Sequence, residues 1–380
     1  MRRIIVCVAG GFTLGYFVAR AAEALSAFRQ PPPPLPKDAA RYGRTRRALM
    51  LAGIGRSLAS LCVSAYAIAP RLERLPPALA FAALSTLDAI FETPIAYVEQ
   101  FRLEHAYGMS EQTLQAWLGD RAKVLGLTYG IGAPLAGLAL EVVRRMPKRW
   151  LVVTALALGP FNVLIQLVFP TFIAPLFNKF TPLTGPLEER LRSLARRCGV
   201  GDASILRVDM SRRTTKANAY VVGLFGTHRI VVGDTLIDGF EPDEIEFVVA
   251  HELGHYVRRD TWKLVGIGTL GGTAILALAG ASVGDDVPPG RTSWMARMMF
   301  FATLFSTLGG PLVAALARRM EWDADTFAVE ATGEPRWGVR AFTRLREKNL
   351  AEDEQPAWME YLFATHPSLK RRIAALRART

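Results

Sequence analysis

His251-Glu252-Leu253-Gly254-His255 decides how this chain is read. Upstream, Glu241, Pro242, Asp243 and Glu244 suit the first turn of a helix, where proline is tolerated and acidic groups complement the positive dipole end. The apolar run Ile245, Phe247, Val248 and Val249 then leads straight into the histidines. On such a helix His251 and His255 stand one turn apart on the same face, so both imidazoles reach one ion. Glu252 lies about 100° round the helix, off the ligand face but placed to take a proton from water. The chain has five histidines, and two fall in this pattern. A solvated pair on a charged helix face is the bland alternative, but Val248, Val249, Ala250 and Leu253 mark the face as buried. Buried histidines need partners.

A catalytic zinc takes three protein ligands and leaves one position open. Candidates for the third are His228, His366, Glu321, Asp323 and Asp325. Glu321 and Asp325 are four apart, hence on one helix face: one carboxylate can bind the ion while the other accepts from a ligand histidine. A solvated acidic face balancing Arg318 and Arg319 is the alternative for this pair, and His366 is the competing ligand.

Outward from this motif the chain turns apolar. Of 380 residues 51% are hydrophobic and 21% charged, and the mean hydropathy is +0.20. That balance excludes a disordered polymer and a collagen-like fibre, and predicts membrane spans joined to water-facing parts. The net charge of +12 suits an anionic membrane surface or nucleic acid, and the long apolar runs decide for the membrane, with no nucleic acid. Three scattered cysteines indicate neither a disulfide framework nor a thiolate site.

A bilayer crossing needs about 20 apolar residues. Seven stretches qualify: Ile4–Ala19, Ala48–Ala69, Ala78–Val98, Val124–Leu140, Trp150–Phe177, Leu264–Ala281 and Trp294–Leu316. The first reads as an uncleaved anchor, with a cleavable secretory signal as the alternative, and is followed by a stiff PPPPLP spacer, Pro31 to Pro36. Arg56, Asp88, Glu92, Asn162 and Gln166 fall inside spans, where such groups face a bundle interior or a water-filled cavity. The expected division is residues 1–177 (spans one to five), 178–262 (first water-facing part, with the HExxH helix), 263–317 (spans six and seven) and 318–380 (second water-facing part). The basic segment Lys37, Arg41, Arg44, Arg46 and Arg47 places the water-facing parts on the cytoplasmic side, although Arg144, Arg145, Lys148 and Arg149 then fall opposite. Within 178–262, Leu187–Arg197 reads as an amphipathic helix and Ser204–Val208, Ala219–Phe225 and Arg229–Val232 as strand-like runs, with turns at Gly233–Asp234 and Asp238–Gly239.

HELGH, RRMEWDADTFA (Arg318–Ala328) and THPSLKRRIAAL (Thr365–Leu376) together resemble the membrane zinc metalloproteases of the CAAX prenyl protease 1 (Ste24-like, M48) type. FRLEHAYGMSEQT (Phe101–Thr113), FPTFIAPLFNKFTPL (Phe169–Leu183) and KANAYVVGLFGTHRIVVGDTLI (Lys216–Ile237) extend the likeness over most of the chain from about residue 70 onward. The resemblance implies a mainly α fold: about seven transmembrane helices around a chamber, with a zincin-like α+β catalytic domain bearing a small sheet. It implies one zinc per chain on His251, His255 and Glu321, Glu252 as general base and acid, and Asp325 beside a ligand histidine. Asn218, Ala219 and Tyr220 would hold the substrate backbone, the strand-like Tyr220–Leu224 offering an edge. His366 and Arg372 would stabilise the oxyanion.

The expected protein is thus a multi-pass endopeptidase of a bacterial inner or ER-type membrane. Its expected substrates are peptides or proteins, prenylated ones included, or faulty membrane proteins. An HtpX-like quality-control protease, a polytopic metal transporter and an inactive zinc-binding scaffold are the alternatives.

Overall fold

The computed structural model describes residues 38–379. Six helices in it are long and apolar enough to cross a membrane: α1 (Ala39–Arg71), α2 (Pro77–Ala106), α3 (Leu114–Arg145), α4 (Trp150–Leu176), α8 (Asp260–Ser282) and α9 (Thr292–Thr332). They match the expected stretches from the second to the seventh, all contained whole except Trp150–Phe177, whose last residue lies just beyond α4. The first, Ile4–Ala19, and the PPPPLP spacer lie outside the described residues, so the six spans found correspond to the other six expected.

Between α4 and α8 the chain folds as β1 (Phe180–Pro182), α5 (Pro186–Arg197), β2 (Ser204–Val208), β3 (Ala219–Val222), β4 (Arg229–Gly233), α6 (Asp234–Ile237) and α7 (Pro242–Val257). After α9 come α10 (Pro335–Lys348), α11 (Ala357–Leu362) and α12 (Leu369–Arg377). The sheet order is β1-β2-β4-β3: β2 runs parallel to β4, and the other pairs are antiparallel. Among the described residues β3 is therefore an edge, its inner side zipped to β4 with Ala219 opposite Val232. The expected turn at Gly233–Asp234 is instead the start of α6. The buried carboxylate of Asp234, its first residue, accepts from the Ser211 amide and hydroxyl at 2.9 and 2.5 Å and from the Thr235 amide at 2.8 Å, tying this helix to the segment after β2.

One core joins the water-facing pieces. Leu191 and Leu194 of α5, Ile230 and Val232 of β4, and Phe247, Val249 and Leu253 of α7 pack with Ala328 of α9, Phe342 of α10 and Leu376 of α12. The long helix α9 is thus a membrane span at one end and part of this core at the other.

Four of the five polar residues expected inside the bundle find side-chain partners, while Gln166 is exposed on α4. Asp88 takes Arg56 at 2.7 Å and Ser60 at 2.9 Å, Glu92 pairs with Arg121, and Asn162 donates to Thr269 at 3.2 Å. Asp88, Glu92, Arg121, Ser64 and Ser85 also line a cavity of about 400 Å³. Asp88 and Glu92 thus make helix-to-helix contacts at the wall of this cavity, which Leu61, Leu84, Val124 and Leu125 also line.

The start of α1 is tied to the water-facing part. Lys216, just before β3, donates to Tyr42 Oη at 2.8 Å and Glu104 Oε2 at 2.6 Å, and Arg47 pairs with Glu352. The basic segment around Arg41–Arg47 and the sheet therefore lie at the same end of the bundle.

Candidate metal centre

α7 opens on a capping box in which the Glu241 amide donates to Glu244 Oε2 at 3.0 Å, with Pro242 in the first turn. Its far end carries His251 and His255, whose rings sit 4.8 Å apart at 90°. Crossing it, α9 brings in Glu321 and Asp325. The approach is close because Gly254 has no side chain: a Cβ there would stand 3.2 Å from Ala324 Cα and 3.1 Å from Phe327 Cδ1.

His251, His255 and Glu321 each offer one ligand atom, and the three atoms lie within 4.8 Å of one another. Two carboxylates orient the rings. His251 Nδ1 donates to Asp325 Oδ1 at 2.9 Å, and His255 Nδ1 donates to Asp260 Oδ2 at 2.8 Å. Both Nε2 atoms consequently turn to Glu321, at 3.4 Å from Oε2 and 3.3 Å from Oε1. Glu321 Oε2 is buried with no hydrogen bond of sound geometry, even though Arg372 Nη1 approaches to 3.2 Å. Two imidazole Nε2 atoms and an orphaned carboxylate oxygen converging in a buried site suit a divalent cation of the zinc type.

Arg372, itself buried, grips Asp325 with a fork: Nε to Oδ2 at 2.8 Å and Nη2 to Oδ1 at 2.6 Å. Its guanidinium lies 4.1 Å over the Phe342 ring. His366 is exposed, with Nε2 3.2 Å from Glu321 Oε1 and Nδ1 2.8 Å from Thr365 Oγ1. Arg318 Nη1 holds the loop bearing His366 by donating to the carbonyls of Glu360 and Ala364 at 2.8 and 2.7 Å. Glu252 has no hydrogen-bond partner among the described residues, and burial pushes its carboxyl above the ordinary carboxylate value. A cavity of about 420 Å³ opens beside His366 and Arg372, lined also by Met50, Met359 and Phe363.

On the sheet edge Asn218 is exposed, Ala219 buried and Tyr220 half-buried. Asn349, at the end of α10, clamps the preceding residue, accepting from the Ala217 amide at 2.8 Å and donating to its carbonyl at 3.2 Å. Two candidate ligands stand elsewhere: His228 pairs with Tyr256 Oη at 2.6 Å, and Asp323 pairs with Arg258 at 2.7 Å.

Sequence reasoning missed Asp260, Gly254, Asn349 and the grip of Arg318. Asp260 alone left a readable trace, an acidic residue five positions after a ligand histidine.

The sequence profile of Peptidase family M48 matches residues 183–380, and that of the CAAX prenyl protease N-terminal region with five membrane helices matches residues 48–179. CAAX prenyl protease 1 of Saccharomyces cerevisiae is 33% identical over 320 residues, covering 77% of this chain and 70% of the yeast protein. The uncharacterized metalloprotease YhfN of Bacillus subtilis is 29% identical over 311 residues, 76% of this chain and 70% of that one. The crystal structure of S. mikatae Ste24p superposes with a TM-score of 0.78 at 26% identity, covering 98% of both chains.

Proposed function

The chain belongs to peptidase family M48 and is a multi-pass membrane metalloendopeptidase, and from that premise we propose a zinc enzyme whose catalytic half faces the cytoplasm. His251, His255 and Glu321 would hold the ion. Zinc in that donor set supplies a Lewis acid that acidifies water and polarises the scissile carbonyl.

The chain's own residues do the rest. Glu252, free of partners and raised by burial, takes the proton of the attacking water and delivers it to the leaving amine nitrogen. His366, exposed at the cavity mouth, donates to the carbonyl oxygen as negative charge develops there. Arg372 adds a fixed positive charge while its fork on Asp325 keeps His251 in register. Donors of this kind are typically worth about 3 kcal/mol each. An extended peptide would add to the outer edge of β3, its backbone held at Asn218, Ala219 and Tyr220. The sidedness rests on the contacts of Tyr42 and Arg47 with Lys216 and Glu352, which put the basic segment beside the catalytic half.

One observation carries the reading: three donor atoms within 4.8 Å of one another in a buried site, beside an unpaired carboxylate and a sheet edge. For substrates, we propose an intrinsic ability to cut CAAX-type peptides, prenylated ones included, together with cleavage of faulty membrane proteins. Purified protein should cut a farnesylated CAAX peptide and unfolded casein, each in a chelator-sensitive way. Cleavage of casein but of no CAAX peptide would remove prenyl processing and leave quality control. Cleavage of neither would overturn the proposal.

A further inference from the structure

The turn joining β3 to β4 is built to display a phenylalanine. Thr227 locks it: its amide and hydroxyl donate to the Leu224 carbonyl at 3.1 and 2.7 Å, and its Oγ1 accepts from the Leu224 amide at 3.3 Å. Leu224 is buried, while Phe225 is 72% exposed. Phe225 also sits at φ 52°, the left-handed region that disfavours any residue with a Cβ, flanked by Gly223 at φ 127° and Gly226 at φ 85°. The turn thus spends conformational energy to hold an aromatic ring largely exposed at the surface.

The surroundings of that ring say what covers it. Phe225 packs edge-on against Trp262 at 5.4 Å, and Trp262 is the third residue of the membrane span α8. At the turn end of the same hairpin Arg229 Nη1 donates to the Pro170 carbonyl at 3.3 Å, near the end of the membrane span α4. There Phe169 and Phe172 are exposed too. The chain leaves the membrane at α4 and re-enters at α8, so both helix ends lie at one membrane face. Exposed aromatics at the ends of two spans, with Arg259 exposed beside them, form the belt that marks the headgroup boundary.

We propose that the β3–β4 hairpin dips Phe225 into the lipid headgroup boundary beside Trp262, docking the edge strand to the bilayer surface. The occupant is lipid itself, because the patch continues the lipid-facing surface of α4 and α8. The edge is then held at fixed depth, level with the point where a membrane-anchored chain emerges.

The test uses the full chain in lipid nanodiscs with Cys7, Cys62 and Cys198 replaced by serine. Phe225→Cys carries an environment-sensitive dye, and Asp238→Cys, exposed beyond the opposite end of β4, serves as the aqueous control. The dye at 225 should emit to the blue of the control and be quenched by shallow nitroxide lipids. Aqueous iodide should quench it several-fold less than the control. Phe225→Trp, which keeps the aromatic ring, should gain emission that brominated lipids quench. Equal iodide quenching at both sites, with no brominated-lipid effect on Phe225→Trp, would overturn the proposal. So would a dye that leaves water only when a prenylated peptide is added, which would assign the patch to a substrate tail.

Discussion

His255 Nδ1 lies 2.8 Å from Asp260 Oδ2, so the first residue of a membrane span orients a ligand of the metal centre. Asp260 is buried and also takes Lys263 Nζ at 2.7 Å. The centre is thereby coupled to the bundle from two sides, since Glu321 and Asp325 stand on the extension of another span. Asp260→Asn should lower zinc affinity by about 10- to 100-fold, as loss of such a carboxylate does elsewhere. Competition against a chromogenic chelator measures this, and unchanged affinity would mean that Asp260 orients nothing.

Glu252 ties down no neighbour, so its removal should spare the fold. Glu252→Gln should bind zinc like the wild type and melt at the same temperature, while kcat falls about 100-fold or more. Retained cleavage would give the proton transfer to another group.

Gly254 allows α7 and α9 to touch. In Gly254→Ala the new methyl meets the Ala324 backbone, which cannot swing aside, as well as the Phe327 ring. Thermal unfolding should show a loss of about 1–3 kcal/mol, accompanied by weaker zinc retention. A variant as stable as the wild type would show that the helices separate freely.

Zinc uptake should depend on pH. Burial and the Arg372 charge push the His251 imidazole down, but hydrogen bonds to Asp325 and Glu321 outweigh them and hold it up at about 9 in protein stripped of metal. His255 is raised as well, burial being outweighed by Glu321 and Asp260. Below about pH 9 the ion must displace a proton from His251, so apparent affinity should fall about tenfold per pH unit per proton displaced. Titrations across neutral pH check the slope, and an affinity independent of pH would contradict it.

The legible and the hidden parts of this molecule differ for physical reasons. HELGH and Glu321 with Asp325 are readable because helical periodicity brings residues four apart onto one face. Six spans are readable from apolar length alone. β1 is not: Phe180–Pro182 is three residues ending in proline, and only its pairing with Leu206–Val208 makes it a strand. Gly254 reads like any glycine until α9 is seen crossing it. Asn349 and Arg318 act through backbone carbonyls and amides far along the chain, which leave no spacing to find. The free edge of β3 is a property of sheet order, and no single strand announces its place in it.

Everything proposed for the chemistry depends on one zinc ion held by His251, His255 and Glu321. Anomalous scattering at the zinc edge, from crystals of the purified protein, locates such an ion without reference to activity. A single peak per chain is expected between the two Nε2 atoms and the Glu321 carboxylate, lost in His251→Ala. No peak there, or a peak on other residues, would contradict it.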